Sequence, residues 1–220
     1  MTNSHSVIIL ASGLSQRLGR SKQLLSKDNQ PLIHYMLKLA LATEPQAVII
    51  VIPQDNQAIA NAINEWATKN SMVNIVMNPI PETGMAHSLY LAIEALNNRD
   101  IDSFVDRVLI MGVDQVLLDS DHLNRLLAGE HKVVASSYPH LNKECMIDSA
   151  KLNIVGLPIT IDCEWLKQWQ TSLTGDKGLR YLIRGLAAEQ ISTVINNKLS
   201  YDIDTPEQLA YAEEQGWLDS

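Results

Sequence analysis

The sequence predicts an α/β fold of three layers, with helices on both faces of a mostly parallel sheet. Three observations carry that expectation. Strand and helix patterns alternate along the first half of the chain. Two apolar runs, residues 7–10 and 47–52, lack the polar alternation of a half-solvated strand and fit strands buried on both faces. The first run also passes straight into a small, polar, cationic loop, and sheets of this kind bind ligands beyond the carboxyl ends of their strands.

The run at 7–10 reads as a short buried strand. In the loop that follows, Gly13 and Gly19 permit positive φ and let backbone approach a ligand closely. Ser12 and Ser15 add hydroxyls, and Arg17, Arg20 and Lys22 bring three positive charges into an acidic chain. A strand that runs into such a loop builds a phosphate site. Two common phosphate motifs do not fit. The G-x-G-x-x-G pattern fails at Ser15, and Arg20 and Ser21 separate Gly19 from Lys22 where G-x-x-x-x-G-K-[S/T] needs them adjacent.

Pro31 opens a helical pattern over residues 32–39, and Pro45 ends it. Residues 47–52 form the next strand, a helix follows at about 57–69, and a short strand at 73–77. The alternation implies right-handed crossovers. Residues 78–84 hold two prolines and a glycine and make a shaped loop. Thr83 is positioned to cap a helix that runs to about Leu96, and His87 in its first turn reads as structural. Residues 107–115 read as a strand that ends near Asp114. A carboxylate just past a buried strand must be solvated, paired or metal-bound, and hard oxygen ligands of this type hold Mg²⁺.

A helix is expected at 121–127, a strand at 132–137 and another at 153–161, where Pro158 implies an edge or a bulge. The polar stretch 138–150 has no clear pattern. A helix over 162–170 puts Trp165 and Trp169 on one face, as core packing. Asp176 and Gly178 make a turn before Arg180. Near the end, Thr205 and Gln208 form a capping-box pattern with Pro206 at the first helical position. Asp202 and Asp204 alternate along the extended segment before it, so they are expected on one side. A helix dipole accounts for one acid there; two suggest a cation.

The 220 residues are 46% hydrophobic, enough to fill a core in a single domain, and no repeat or linker interrupts them. The net charge of −8 argues against nucleic acid as the main partner but leaves room for a nucleotide, which needs only a local cluster of cations. The two cysteines, Cys145 and Cys163, are ordinary for a reduced protein. The N-terminal residues lack the basic start of a signal peptide, and no stretch has the roughly 20 apolar residues of a membrane span. A cytoplasmic location, with no membrane partner, is expected.

The loop from Leu10 to Leu25, read as L-A-S-G-x-S-x-R-x-G-x-x-K-x-L-L, resembles the signature of the MobA-like nucleotidyltransferases, most closely the molybdenum cofactor cytidylyltransferase branch. The resemblance continues through Asn78 with Gly84 and Ser88, Asp114-Gln115, Gly156-x-Pro158, Gly175-Asp176-x-Gly178-x-Arg180 and the run from Asp202 to Glu207. Two positions depart from it. Val116 replaces a proline after Asp114-Gln115, and Leu179 replaces an alanine.

That resemblance implies a Rossmann-like fold of the nucleotide-diphospho-sugar transferase type. It implies one domain over residues 1–220, with a nucleotide half at about 7–115 and an acceptor half after it. The implied reaction moves CMP from CTP to the phosphate of a molybdopterin-type acceptor and releases pyrophosphate. Arg17, Lys22 and Asp114 would be catalytic. Leu10, Ala11, Ser12, Gly13, Lys22, Asn78, Gly84 and Ser88 would bind the nucleotide. Gly156, Pro158, Asp176 and Arg180 would face the acceptor. Asp114 and Asp204 would hold Mg²⁺, or Mn²⁺ in its place. A molybdoenzyme or its chaperone is the implied protein partner. Cytidylyl enzymes of the family tend to have alanine at the position of Ser12 and guanylyl enzymes glycine, whereas Ala11 favours CTP. GTP or another phosphorylated acceptor is the alternative within the enzyme class. A non-catalytic nucleotide-binding partner of a molybdoenzyme is the alternative outside it, against which stand the intact Arg17, Lys22, Asp114 and Asp204.

Overall fold

The computed structural model describes residues 4–98, 105–139, 153–173 and 178–220. Strand β1 (His5–Leu10) is buried at all six positions. Beyond the loop, a 3₁₀ turn at Lys22–Leu24 leads to a small hairpin, β2 (Ser26–Lys27) and β3 (Gln30–Pro31). Asp28 and Asn29 at its tip both have positive φ, 54° and 58°, the geometry of a primed hairpin turn. Its strands are two residues each, too short to leave an alternating pattern in the sequence. The chain continues as α1 (Leu32–Leu41), β4 (Val48–Pro53), α2 (Gln57–Lys69), β5 (Val73–Asn78) and α3 (Met85–Asn97). It then forms β6 (Arg107–Met111), α4 (Ser120–Leu127), β7 (Val133–Pro139), β8 (Asn153–Asp162), α5 (Cys163–Gln170), α6 (Leu179–Arg184), β9 (Ile191–Ile195) and α7 (Pro206–Glu214).

Seven strands make one sheet in the order β5-β4-β1-β6-β8-β7-β9. Every pairing is parallel except the two made by β8, which runs antiparallel to β6 and β7. Alternate residues of β1 go to opposite faces, as strand geometry requires. Val7 and Ile9 pack with Met36 of α1, Ile63 of α2, Leu123 of α4 and Ala212 of α7. Ile8 and Leu10 pack with Leu89 of α3, Leu166 of α5 and Ile183 of α6. The result is the expected three-layer α/β/α fold with a mostly parallel, Rossmann-like sheet.

The strand order explains where a ligand can sit. From β1 the chain winds outward through β4 and β5, then returns to β6 on the other side of β1. The loops after β1 and β6 therefore diverge, which opens a crevice at the carboxyl ends of these two strands. The expected strand to residue 115 stops at Met111, paired with Ile9, because β1 leaves the sheet soon after. Residues 112–116 instead turn across the strand ends.

Pro158 does not mark an edge, since β8 lies between β6 and β7. It marks a bulge. Ala135 pairs with Ile159 but Ser136 pairs with Gly156, so Leu157 and Pro158 have no partners in β7. Their carbonyls find side chains instead: Gln115 Nε2 donates to Leu157 O at 3.0 Å and Ser136 Oγ to Pro158 O at 2.6 Å. Thr83 is not the cap of α3. Gly84 occupies that position with φ 90°, which a residue with a Cβ rarely adopts. The Thr83 hydroxyl closes the preceding turn by donating to Ile80 O at 2.7 Å. Thr205, by contrast, caps α7 in a full capping box with Gln208. Trp165 and Trp169 lie on one face of α5, 5.9 Å between ring centroids, against the core of α3 and α6. Cys163 is a buried free thiol; Cys145 lies outside the described residues.

Candidate active site

A cavity of about 310 Å³ opens at the switch point, between the loop after β1, the start of α3 and the turn after β6. Leu10, Ser12, Gly13, Arg17, Lys22, Gly84, Ser88, Asp114 and Asp204 all line it. A Cβ built on Gly13 would meet nothing within 4 Å, so this glycine keeps the wall low rather than serving a special φ. The positive φ values of the loop fall on Ser15 (52°) and Gly19 (76°). The carbonyl of Ser15 accepts from Leu18 and Gly19 N–H at 3.1 and 3.0 Å, and its hydroxyl accepts from Lys22 N–H at 3.2 Å.

The tail of the chain is stitched across the end of β6. Gln115 forms an antiparallel bridge with Asp202, and Ile203 N–H donates to Asp114 O at 3.1 Å. Asp204 is thereby set beside Asp114. Its own N–H donates to Gln208 Oε1 at 2.8 Å, so its backbone already belongs to the start of α7. That turn separates the two acids expected on one side. Asp204 faces the cavity, while Asp202 faces a second one of about 870 Å³, lined also by Tyr138, Tyr201, Tyr211 and Trp217. Arg17 borders both cavities.

Three of these groups form one ionic cluster with Arg17. The Lys22 ammonium donates to Asp204 Oδ1 and, at 3.3 Å, to Asp114 Oδ2. Arg17 Nη2 donates to Asp204 Oδ2 at 2.6 Å. Burial works against the charged Lys22, but Asp114 and Asp204 outweigh it and raise its pKa. Burial likewise opposes the charged form of Asp204, and Lys22 and Arg17 outweigh it and lower its pKa. At Asp202 the Lys22 charge acts too weakly to offset the opposing effects. Burial, then the charges of Asp114 and Asp204, raise its pKa. Arg20, the third cation of the loop, points away and pairs with Glu213 of α7 at 3.1 Å.

Asn78 is fully buried and does not line the cavity. Its Nδ2 donates to the hydroxyls of Ser12 at 3.0 Å and Ser88 at 3.1 Å, and its Oδ1 accepts from Ile80 N–H at 3.0 Å. It ties the loop after β1 to the end of β5 and the start of α3. Ala11 is buried beneath the loop, with its N–H donating to Val51 O at 2.9 Å. Of the residues expected near an acceptor, Gly156, Pro158 and Arg180 do not line this cavity, whereas Leu157 between the first two does. Asp176 lies outside the described residues. One residue the sequence reading passes over is Gln23, buried, with its amide against the loop carbonyls. Its neighbour Lys22 draws attention by charge; Gln23 has no such signal.

Among the described residues no group of three or more His, Cys, Asp and Glu gathers to hold a metal. Asp114 and Asp204 nonetheless aim two carboxylates at one cation, the Lys22 ammonium. Two carboxylates are a sufficient protein share for Mg²⁺, which takes its other ligands from water and substrate phosphates. The donor set therefore fits. No helix among the described residues is long and apolar enough to cross a membrane.

Among solved structures, the chain is similar to Rv0371c from Mycobacterium tuberculosis, with a TM-score of 0.71 at 20% identity over 96% of this chain and 99% of that one. It is also similar to a nucleotidyl transferase from Methanothermobacter, with a TM-score of 0.71 at 17% identity over 97% of this chain and 98% of that one. These likenesses are of fold. Among curated proteins, it is 27% identical over 134 residues to the bifunctional protein GlmU of Mycobacterium tuberculosis, which is 60% of this chain and 26% of that protein. The chain thus spans about a quarter of the curated relative's length. A family model described as the MobA-like NTP transferase domain matches residues 7–192, and the chain belongs to that family.

Proposed function

We propose that the protein transfers CMP from CTP to the phosphate of a molybdopterin-type acceptor and releases pyrophosphate. The observation that carries this reading is the meeting of Arg17, Lys22, Asp114 and Asp204 in one cavity at the switch point of the sheet. Family membership supports nucleotidyl transfer in general and implies a divalent metal. CTP and the acceptor rest on the loop motif.

Attack by an oxygen of the acceptor phosphate forms a bond to the α-phosphorus of CTP. The bond from that phosphorus to the bridging oxygen breaks, and pyrophosphate leaves with the electron pair. The step gathers anions, so its barrier falls where positive charge is already in place. Arg17 and Lys22 supply that charge to the triphosphate. Mg²⁺ held by Asp114 and Asp204 would neutralise phosphate charge. The N–H groups of the loop from Ser12 onward add donors along the triphosphate. A phosphate nucleophile is ionised at neutral pH, so no side chain has to remove a proton from it.

The test is to incubate the protein with Mg²⁺, molybdopterin and each of the four nucleoside triphosphates in turn and to measure pyrophosphate. Release with CTP, abolished in Asp114→Ala, is expected. Release with GTP instead reassigns the base. Tight CTP binding with no turnover would identify a nucleotide-binding partner rather than an enzyme.

A further inference from the structure

We propose that Gln23 is a positioning residue that turns the backbone of the loop into an anion-binding surface. The inference rests on the reading of that loop as the triphosphate site. Gln23 sits in the 3₁₀ turn Lys22–Leu24 and is 1% exposed. Its Nε2 donates to Ala11 O at 2.6 Å and to Gly13 O at 3.0 Å. Both hydrogens of one amide are thus spent on two carbonyls that flank Ser12.

The need for this arises from the sheet. Strand β1 pairs with β4 as far as Leu10 opposite Val51. Ala11 faces β4, since its N–H donates to Val51 O at 2.9 Å, so its carbonyl would next take the N–H of residue 53, and Pro53 has none. An unsatisfied carbonyl near the core would rotate toward water and take its peptide plane with it. Gln23 replaces the donor that Pro53 lacks and holds the plane.

The consequence follows from peptide geometry. In a planar trans peptide the N–H of a residue points opposite to the preceding carbonyl. With the Ala11 and Gly13 carbonyls turned down onto Gln23, the N–H groups of Ser12 and Leu14 turn up, away from the buried amide. Among the described residues no backbone carbonyl accepts from the N–H groups of Ser12, Gly13 or Leu14. Free N–H groups turned to one side of a loop offer donors to an anion. Gln23 Oε1 is buried without a partner among the described residues, so the amide leaves its own acceptor unpaired to keep both donors on the loop. One 3₁₀ turn therefore does two jobs. Lys22 supplies the charge and Gln23 orients the donors beside it.

Two variants test this by calorimetric titration with CTP and with inorganic tripolyphosphate. Gln23→Met keeps length and removes both donors. It is expected to weaken both ligands about tenfold or more, the scale for two lost hydrogen bonds, with an unchanged circular dichroism spectrum. Gln23→Glu keeps the shape. Its carboxyl, buried against two carbonyl oxygens, will have a raised pKa and donate one hydrogen bond when protonated. CTP affinity relative to wild type is then expected to fall as pH rises through that pKa, and Gln23→Met should show no such trend. Wild-type affinity in folded Gln23→Met, or a pH-independent ratio in Gln23→Glu, overturns the assignment while the proposed function stands. A wild-type protein that binds neither CTP nor tripolyphosphate overturns both.

Discussion

The Lys22 ammonium hydrogen-bonds the carboxylate of Asp204, a residue 182 positions away, and reaches Asp114 from the same atom. One amine therefore joins the loop after β1, the turn after β6 and the segment before α7. Replacing Lys22 with Met leaves the two carboxylates facing each other with no ammonium between them. Turnover is expected to fall on the order of 100-fold, the scale for loss of an electrostatic stabiliser. Mn²⁺ binding without nucleotide is expected to tighten, read as loss of the free-ion signal in electron paramagnetic resonance. Wild-type turnover in this variant would remove Lys22 from the mechanism.

Asp114→Ala and Asp204→Ala are each expected to lower pyrophosphate release on the order of 100-fold or more. The second also strips Arg17 and Lys22 of a shared partner. Single-turnover measurements with saturating CTP separate lost chemistry from lost binding. A loss confined to the KM for CTP would argue against metal ligation by these residues.

Asn78 holds three segments together with all its polar atoms used. Asn78→Ala leaves the Ser12 and Ser88 hydroxyls buried and unpaired. A stability loss of about 1–3 kcal/mol is expected, at roughly 2–4 °C of Tm for each kcal/mol in a domain of this size. Scanning calorimetry checks it. An unchanged Tm would mean that the two serines find other partners at no cost.

His122 is buried, with Nε2 2.8 Å from Ser136 Oγ, and burial, reinforced by the charge of Arg125, lowers its pKa. The unfolded chain then binds the proton more readily than the fold does. Its favourable share of stability is complete above the unfolded value of about 6.5 and is lost as pH falls toward the depressed folded value. His122→Gln is expected to flatten that part of the stability curve below about pH 6.5, measured by urea denaturation at a series of pH values. Parallel curves for the two proteins would exclude His122 as the source.

The α/β alternation was readable because strands buried on both faces leave unbroken apolar runs, as at β1 and β4, and amphipathic helices leave a different period between them. The cap at Thr205 was readable because capping is local chemistry among neighbours. The bulge at Pro158 was half-readable. A proline states that one ladder hydrogen bond is absent, and only the neighbouring strands say whether the reason is an edge or a bulge. Asn78 and Gln23 were hardest to read. An amide advertises neither charge nor reactivity, and its work depends on which carbonyls and hydroxyls the fold brings within reach.

Residue types alone pointed to Arg17, Arg20, Lys22, Asp114 and the pair Asp202 and Asp204, and the family resemblance selected Arg17, Lys22, Asp114 and Asp204 from among them. Their meeting in one cluster is a property of the sheet. Winding outward from β1 and returning through β6 puts two loops side by side, and the backbone links from Gln115 to Asp202 and from Ile203 to Asp114 bring in the last acid. The same stitching sends Asp202 to a different cavity from Asp204, although alternation along a strand would have kept them together. Local pattern reports what each side chain offers. Long-range hydrogen bonds decide which of those offers face one another.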